Sequence, residues 1–165
     1  MNKLRLLLAS GLFAWGHWPL GLLLGILYSN AFEYLYHRFL LHSQSGRFSE
    51  RHQHHHDAFG QPDKARHITF GDSPKAVGLL ITVNSLPFAL LDRLGVGIGA
   101  GGVPGFVAYY ALYEEIHWRM HLGGLPRRLE WMRRHHLAHH KGSPRCYNVF
   151  LPIFDTLLGW TDRTA

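Results

Sequence analysis

Two apolar runs separated by a single pair of charges constrain this chain more than anything else in it. "AVGLLITVNSLPFALL" (76–91) and "LGVGIGAGGVPGFVAYYALY" (94–113) are interrupted only by Asp92 and Arg93. The glycines and Pro104 would weaken a soluble helix, but membrane helices tolerate them, and small residues allow close helix packing. The pair reads as a membrane hairpin with Asp92-Arg93 at its tip. A hairpin leaves the membrane on the side it entered, so residues 37–75 and 114–165 are expected on one face. Those two blocks hold every histidine except His17. Both are rich in Arg and Lys, which accumulate on the inner side of bilayers, so that face is expected to be cytoplasmic.

A further run, "LLLASGLFAWGHWPLGLLLGILY" (6–28), extends for 23 positions without Asp, Glu, Lys or Arg. At about 1.5 Å per helical residue it can cross a hydrocarbon core of about 30 Å. The Gly16-His17-Trp18-Pro19 break leaves two options: one continuous helix, or a short re-entrant piece followed by a helix from Pro19 to His42. Lys3 and Arg5 resemble the start of a signal peptide, but no small-residue cleavage site follows, so the segment is read as retained. The expected fold is therefore all-α. It is an integral membrane helical protein with a histidine-rich cytoplasmic cap over three transmembrane helices, or four if the first run is itself a hairpin. Residues 1–165 form one domain in this reading, because no low-complexity tract or long linker divides them.

The net charge of +6 invites a nucleic-acid reading. The basic residues, however, lie in the two histidine-bearing blocks between apolar runs, and no nucleic-acid-binding motif stands beside them. The single cysteine, Cys146, excludes an intramolecular disulfide, a thiolate iron–sulfur cluster and a Cys-x-x-Cys redox pair within this chain.

The histidines fall into four clusters. "HRFLLH" gives His37 and His42, "HQHHH" gives His52, His55 and His56, "HWRMH" gives His117 and His121, and "HLAHH" gives His136, His139 and His140. Positions i, i+3 and i+4 share one helix face, so each His-x-x-His-His set presents three imidazoles together, and His117/His121 does the same. His37 and His42, at i and i+5, would sit about 140° apart on an ideal α-helix. The helix is expected to end, overwind or carry a π-bulge there. Imidazole suits iron, zinc, copper or nickel. One ion accepts about six ligands at most, so ten histidines suit two metals sharing a cradle. His54 and His135 break the register and read as supporting or solvent-exposed; His17 reads as structural, and His67 stays open.

In this order, with apolar spans between the second and third clusters, the chain resembles the fatty acid hydroxylase superfamily. The segments that carry the resemblance are "EYLYHRFLLH" (33–42), "HQHHHDAFGQPDKARHITF" (52–70), "LYEEIHWRMHLG" (112–123) and "WMRRHHLAHHKGSPRCYNVFLPIFDTLLG" (131–159). They look most like fatty acid 2-hydroxylases. Sterol desaturases and carotenoid hydroxylases share the same histidine pattern. The resemblance implies that His37, His42, His52, His55, His56, His117, His121, His136, His139 and His140 bind metal. It also implies a non-haem di-iron centre and a dioxygen-dependent reaction on a lipid C–H bond. Phe154 stands before Asp155 where relatives usually have Trp, a change that concerns packing more than chemistry.

Oxidation of an unactivated C–H bond needs a redox metal, so iron is the expected cofactor, two ions per site, although zinc can replace it in purified material. Within its 165 residues the chain holds no haem electron-carrier segment, so electrons are expected from an external ferredoxin- or cytochrome-type donor. Carboxylates that orient imidazoles through their outer N–H are sought close by. Glu33 lies one turn before His37 and Glu114 three residues before His117, while Asp63, Asn148 and Asp155 are suggested by the resemblance. Tyr109, Tyr110, Tyr113, Trp118 and Trp131 read as interfacial anchors rather than as the lining of an acyl channel. A desaturase would use the same cradle. A non-catalytic membrane metal-binding protein is the alternative of another class.

Overall fold

The structure is a computed structural model that describes residues 17–69, 73–142 and 145–158. Most of the first apolar run, and with it the choice between a continuous first helix and a re-entrant piece, lies outside the described residues. So does the end of the tail beyond Leu158.

Among the described residues the fold is helical, without strands. Helix α1 (Trp18–Leu35) passes into a π-helical turn (Tyr36–Leu41), followed by α2 (Arg47–Asp57) and a 3-10 segment (Pro62–His67). Next come the long helices α3 (Pro74–Arg93) and α4 (Gly99–Leu122). The chain ends with α5 (Glu130–His140) and the short α6 (Ile153–Leu157). The described residues divide into two compact units: 17–29 with 73–110, and 30–69 with 111–142 and 145–158.

In the first unit, Ser73 starts α3 by accepting a hydrogen bond from the Ala76 amide at 3.1 Å, and Pro74 sits at a position that needs no amide hydrogen. Helix α3 is long and apolar enough to cross a bilayer, the one such helix among the described residues. Leu79, Val83, Leu86 and Leu90 recur every three or four residues and are each more than half exposed. Such a stripe is costly in water and natural in lipid. The turn falls at Leu94–Ile98, later than the expected tip at Asp92-Arg93, because Gly95 and Gly97 supply positive φ there. Asp92 instead accepts the Gly99 amide at 2.8 Å and caps α4.

Helices α1 and α4 touch backbone to backbone. A Cβ on Gly105 would lie 2.6 Å from the Leu22 carbonyl oxygen, and one on Gly101 would meet the Leu22 amide at 2.6 Å. Gly21 and Gly25 are equally closed, against Ile98 and Gly102. Tyr28 then packs edge-on against Phe88 and donates to Asn84 at 2.8 Å. Small residues let the two backbones approach this closely, and the fit ties α1 to α4.

The second unit has a small apolar core of Met120, Met132 and Val149, surrounded by Tyr113, Ile116, Leu125, Leu129, Phe150 and Leu151. Most of its remaining interior is polar, and eleven of its buried residues are His, Asn or Asp: Asn30, His37, His52, His55, His117, His121, His135, His136, His139, Asn148 and Asp155. An interior of this kind requires partners for its nitrogens and oxygens.

Gly101→Val is expected to lower the thermal midpoint in detergent strongly, because backbone rather than a flexible side chain blocks the new group; overpacking costs about 1–3 kcal/mol or more. Gly78→Ala on α3, where nothing lies within 4 Å, should leave the midpoint unchanged or raise it. Equal effects at the two positions would contradict the close α1–α4 contact.

Candidate metal centre

All four clusters come together in the second unit. His37 and His42 meet because the chain winds as a π-helix between them. The His42 amide bonds back to the His37 carbonyl at 3.3 Å, five residues earlier, and the two rings stack at 5.1 Å. This is the π-type irregularity expected from the i, i+5 spacing. Helix α2 presents His52, His55 and His56, the last two turns of α4 present His117 and His121, and α5 presents His136, His139 and His140.

The rings sort into two groups, each with its ligand nitrogens within 4.8 Å of one another: His37, His42, His52 and His139, and His55, His121, His136 and His140. His56 adjoins the first through His52 at 3.0 Å, and His117 adjoins the second through His136 at 3.2 Å. The groups are neighbours, since His56 and His140 stack at 4.2 Å. Each His-x-x-His-His set is therefore shared between the two groups rather than aimed at one point.

The nitrogens that face inward are Nε2. His52 Nε2 lies 3.1 Å from that of His37, 3.0 Å from that of His42 and 3.0 Å from that of His56. In the second group, His136 Nε2 faces His117 at 3.2 Å, His121 at 2.9 Å and His140 at 3.0 Å. A neutral imidazole nitrogen carries either one proton or one lone pair, so hydrogen bonding cannot satisfy one nitrogen against three. A shared cation can. Two nitrogens about 2.1 Å from one ion lie about 3.0 Å apart at right angles and about 3.4 Å apart at the tetrahedral angle. The observed separations of 2.9–3.2 Å fit that range. These histidine groups can hold metal ions.

Electrostatics favours the same state. Burial, followed by repulsion from neighbouring rings, drives His37, His55, His117 and His136 well below the usual histidine value. His56 and His121 are pushed down to about 4, and His139 to about 3, again chiefly by burial. The rings are thus neutral near pH 7, as metal ligands must be.

Of the supporting carboxylates sought in the sequence, Glu33 accepts hydrogen bonds from the amides of Val149 and, at 3.3 Å, Phe150. Asp63 is exposed in the 3-10 segment, and Glu114 is half-buried on α4. Asp155 is buried and accepts from the Tyr147 amide at 3.0 Å, the Asn148 amide at 2.8 Å and His135 Nε2 at 3.1 Å. Asn148 donates to the Asn30 carbonyl at 3.0 Å, while its own side-chain oxygen accepts from the amides of Phe154 and Asp155. His54 is exposed, but His135 is buried rather than solvent-facing. Burial disfavours the charge on His135, yet hydrogen bonds to Asp155 and Cys146 raise its value to about 9. Twenty residues separate it from Asp155, so no local pattern announces the pair. Trp118 and Trp131 are exposed, as anchors would be, whereas Tyr109 is buried.

Among the described residues, an all-helical fold with two adjoining histidine-only clusters that could hold metal ions, and one helix long and apolar enough to cross a membrane, sets out a histidine-box arrangement. The family model for fatty acid hydroxylase matches residues 22–160, and the chain belongs to that family. It is 30% identical over 129 residues to a fatty acid 2-hydroxylase of Macaca fascicularis, covering 72% of this chain and 32% of the relative. A fatty acid 2-hydroxylase of Mus musculus is 30% identical over 128 residues, covering 71% and 32%. The chain thus spans about a third of the length of these curated relatives. No solved structure matches it.

Because the folded cluster rings hold fewer protons than unfolded ones, their contribution to the stability of metal-free protein should be complete above pH 6.5 and be lost as pH falls through 6.5 toward about 4. The smaller, opposite contribution of His135 is lost as pH rises from 6.5 toward about 9. Denaturant titration followed by circular dichroism checks this. A midpoint unchanged between pH 7.5 and 4.5 would contradict the buried, neutral state.

Proposed function

We propose that the chain is a membrane-bound, dioxygen-dependent lipid hydroxylase with a non-haem di-iron centre, acting on a fatty acyl or sphingolipid-type substrate. The observation that carries this reading is the convergence of eight imidazoles into two neighbouring groups of four, with His56 beside one and His117 beside the other. Family membership and the likeness to fatty acid 2-hydroxylases support it.

His37, His42, His52, His139 and His56 would hold one ion; His55, His121, His136, His140 and His117 would hold the other. Iron bound there would supply the redox chemistry: a C–H bond, dioxygen, two electrons and two protons give C–OH and water. The electrons come from an external ferredoxin- or cytochrome-type donor. The protein's contribution is positioning. Neutral, mostly buried rings keep their nitrogens available for the ions. The membrane reading has three crossings, formed by the first apolar run, by Pro74–Arg93 and by the apolar half of Gly99–Leu122, with the basic histidine-bearing blocks cytoplasmic.

His56→Ala, expressed beside the parent chain in a host of defined lipid composition, tests the proposal. The parent should add one oxygen atom to a host lipid by mass spectrometry. The variant should lose that product, together with part of its iron. Survival of both iron and product would overturn the reading; loss of two hydrogens without oxygen gain would replace hydroxylation by desaturation.

A further inference from the structure

The two histidine groups differ in what holds their outer nitrogens. In the first, His37 Nδ1 bonds to the Tyr147 carbonyl, and His139 Nδ1 bonds to the Arg145 carbonyl at 3.1 Å. In the second, Nδ1 of His55, His121, His136 and His140 is buried without a hydrogen-bond partner among the described residues, as is Nδ1 of the adjoining His117. A metal-bound imidazole usually donates its outer N–H to a carbonyl or carboxylate, which fixes the tautomer and the ring angle.

The Tyr147 carbonyl that serves His37 is itself clamped. Tyr147 C=O and Asn148 N–H belong to one peptide unit. Asp155 Oδ2 grips that N–H at 2.8 Å, Oδ1 grips the preceding Tyr147 amide at 3.0 Å, and Oδ2 also meets His135 on α5. Asn148 ties the same loop to the Asn30 carbonyl on α1. Cys146, fully buried, takes a positive φ of 66°, a strained conformation for a residue with a side chain, so the loop is held rather than free. From Asp155 to His37 the contacts run carboxylate, peptide unit, imidazole, with a hydrogen bond at each step.

We propose that the two subsites are inequivalent and fill in order. The subsite of His37, His42, His52 and His139 binds its ion first and more tightly, and Asp155 is the positioning residue that presets it. The second subsite must spend binding energy on orienting five rings whose outer nitrogens no acceptor among the described residues holds. This inference rests on the metal-binding part of the proposed function and not on the reaction.

Titration of the metal-free full chain in detergent with cobalt(II), followed by absorption and by bound metal per chain, tests it. The parent should bind two ions in two steps at least about tenfold apart. His121→Ala, which removes a second-subsite ligand, should keep the tight step and lose the weak one; His42→Ala should lose the tight step. Asp155→Asn, with all ten imidazoles intact, should weaken the tight step about 10–100-fold and leave the weak step in place. Two equal steps in the parent, or a tight step that survives in His42→Ala and vanishes in His121→Ala, would overturn the order. Equal weakening of both steps by Asp155→Asn would overturn the role of Asp155. A chain that shows the ordered steps but oxidises no lipid would overturn the function proposed above and leave this inference intact.

Discussion

Crowded imidazole lone pairs are the condition on which the second unit depends. Ten rings whose inner nitrogens approach to 2.9–3.2 Å cannot satisfy one another by sharing protons, because a neutral ring has one N–H to give. Nor can they share positive charge, since burial and mutual repulsion hold them neutral. Cations at the two foci would resolve both difficulties at once, turning an arrangement that would drive an ordinary core apart into one that holds together. The apolar core of this unit is small, centred on Met120, Met132 and Val149, so metal binding and folding are expected to be closely linked.

The first unit solves a different problem. Its helices carry apolar surface outward on α3, where Leu79, Val83, Leu86 and Leu90 are each more than half exposed, and they gain contact inward through glycine. Backbone approaches backbone between α1 and α4 at Gly21, Gly25, Gly101 and Gly105. The close backbone fit, with no room for a Cβ at these glycines, is the main contact between α1 and α4.

Much of the site was legible in the sequence because the α-helical period converts spacing into direction. The two His-x-x-His-His sets and the His117/His121 pair could be assigned to helix faces without coordinates. The misfit of His37 and His42 pointed to the irregularity that the π-helical turn at Tyr36–Leu41 supplies. What spacing did not reveal is how the sets divide. His136 and His140 serve one group and His139 the other, as do His55 and His52 respectively, because the side chains of a triplet fan out over about 100°. Contacts between distant segments were equally hidden. Glu33 lies one turn from His37, but its carboxylate bonds the Val149 and Phe150 amides across more than a hundred residues. His135 is buried against Asp155 although its register suggested a place outside the cluster. Asp92, read as a hairpin tip, is a helix cap. Each depends on tertiary proximity, which a periodicity cannot encode.

X-ray absorption at the metal edge of the purified full chain tests the central claim most directly. Two ions per chain, each in a nitrogen-dominated first shell at about 2.0–2.2 Å with the outer-atom scattering of several imidazoles, is the expected spectrum. Fewer than two ions, or a shell dominated by sulfur or by oxygen without imidazole scattering, would contradict it.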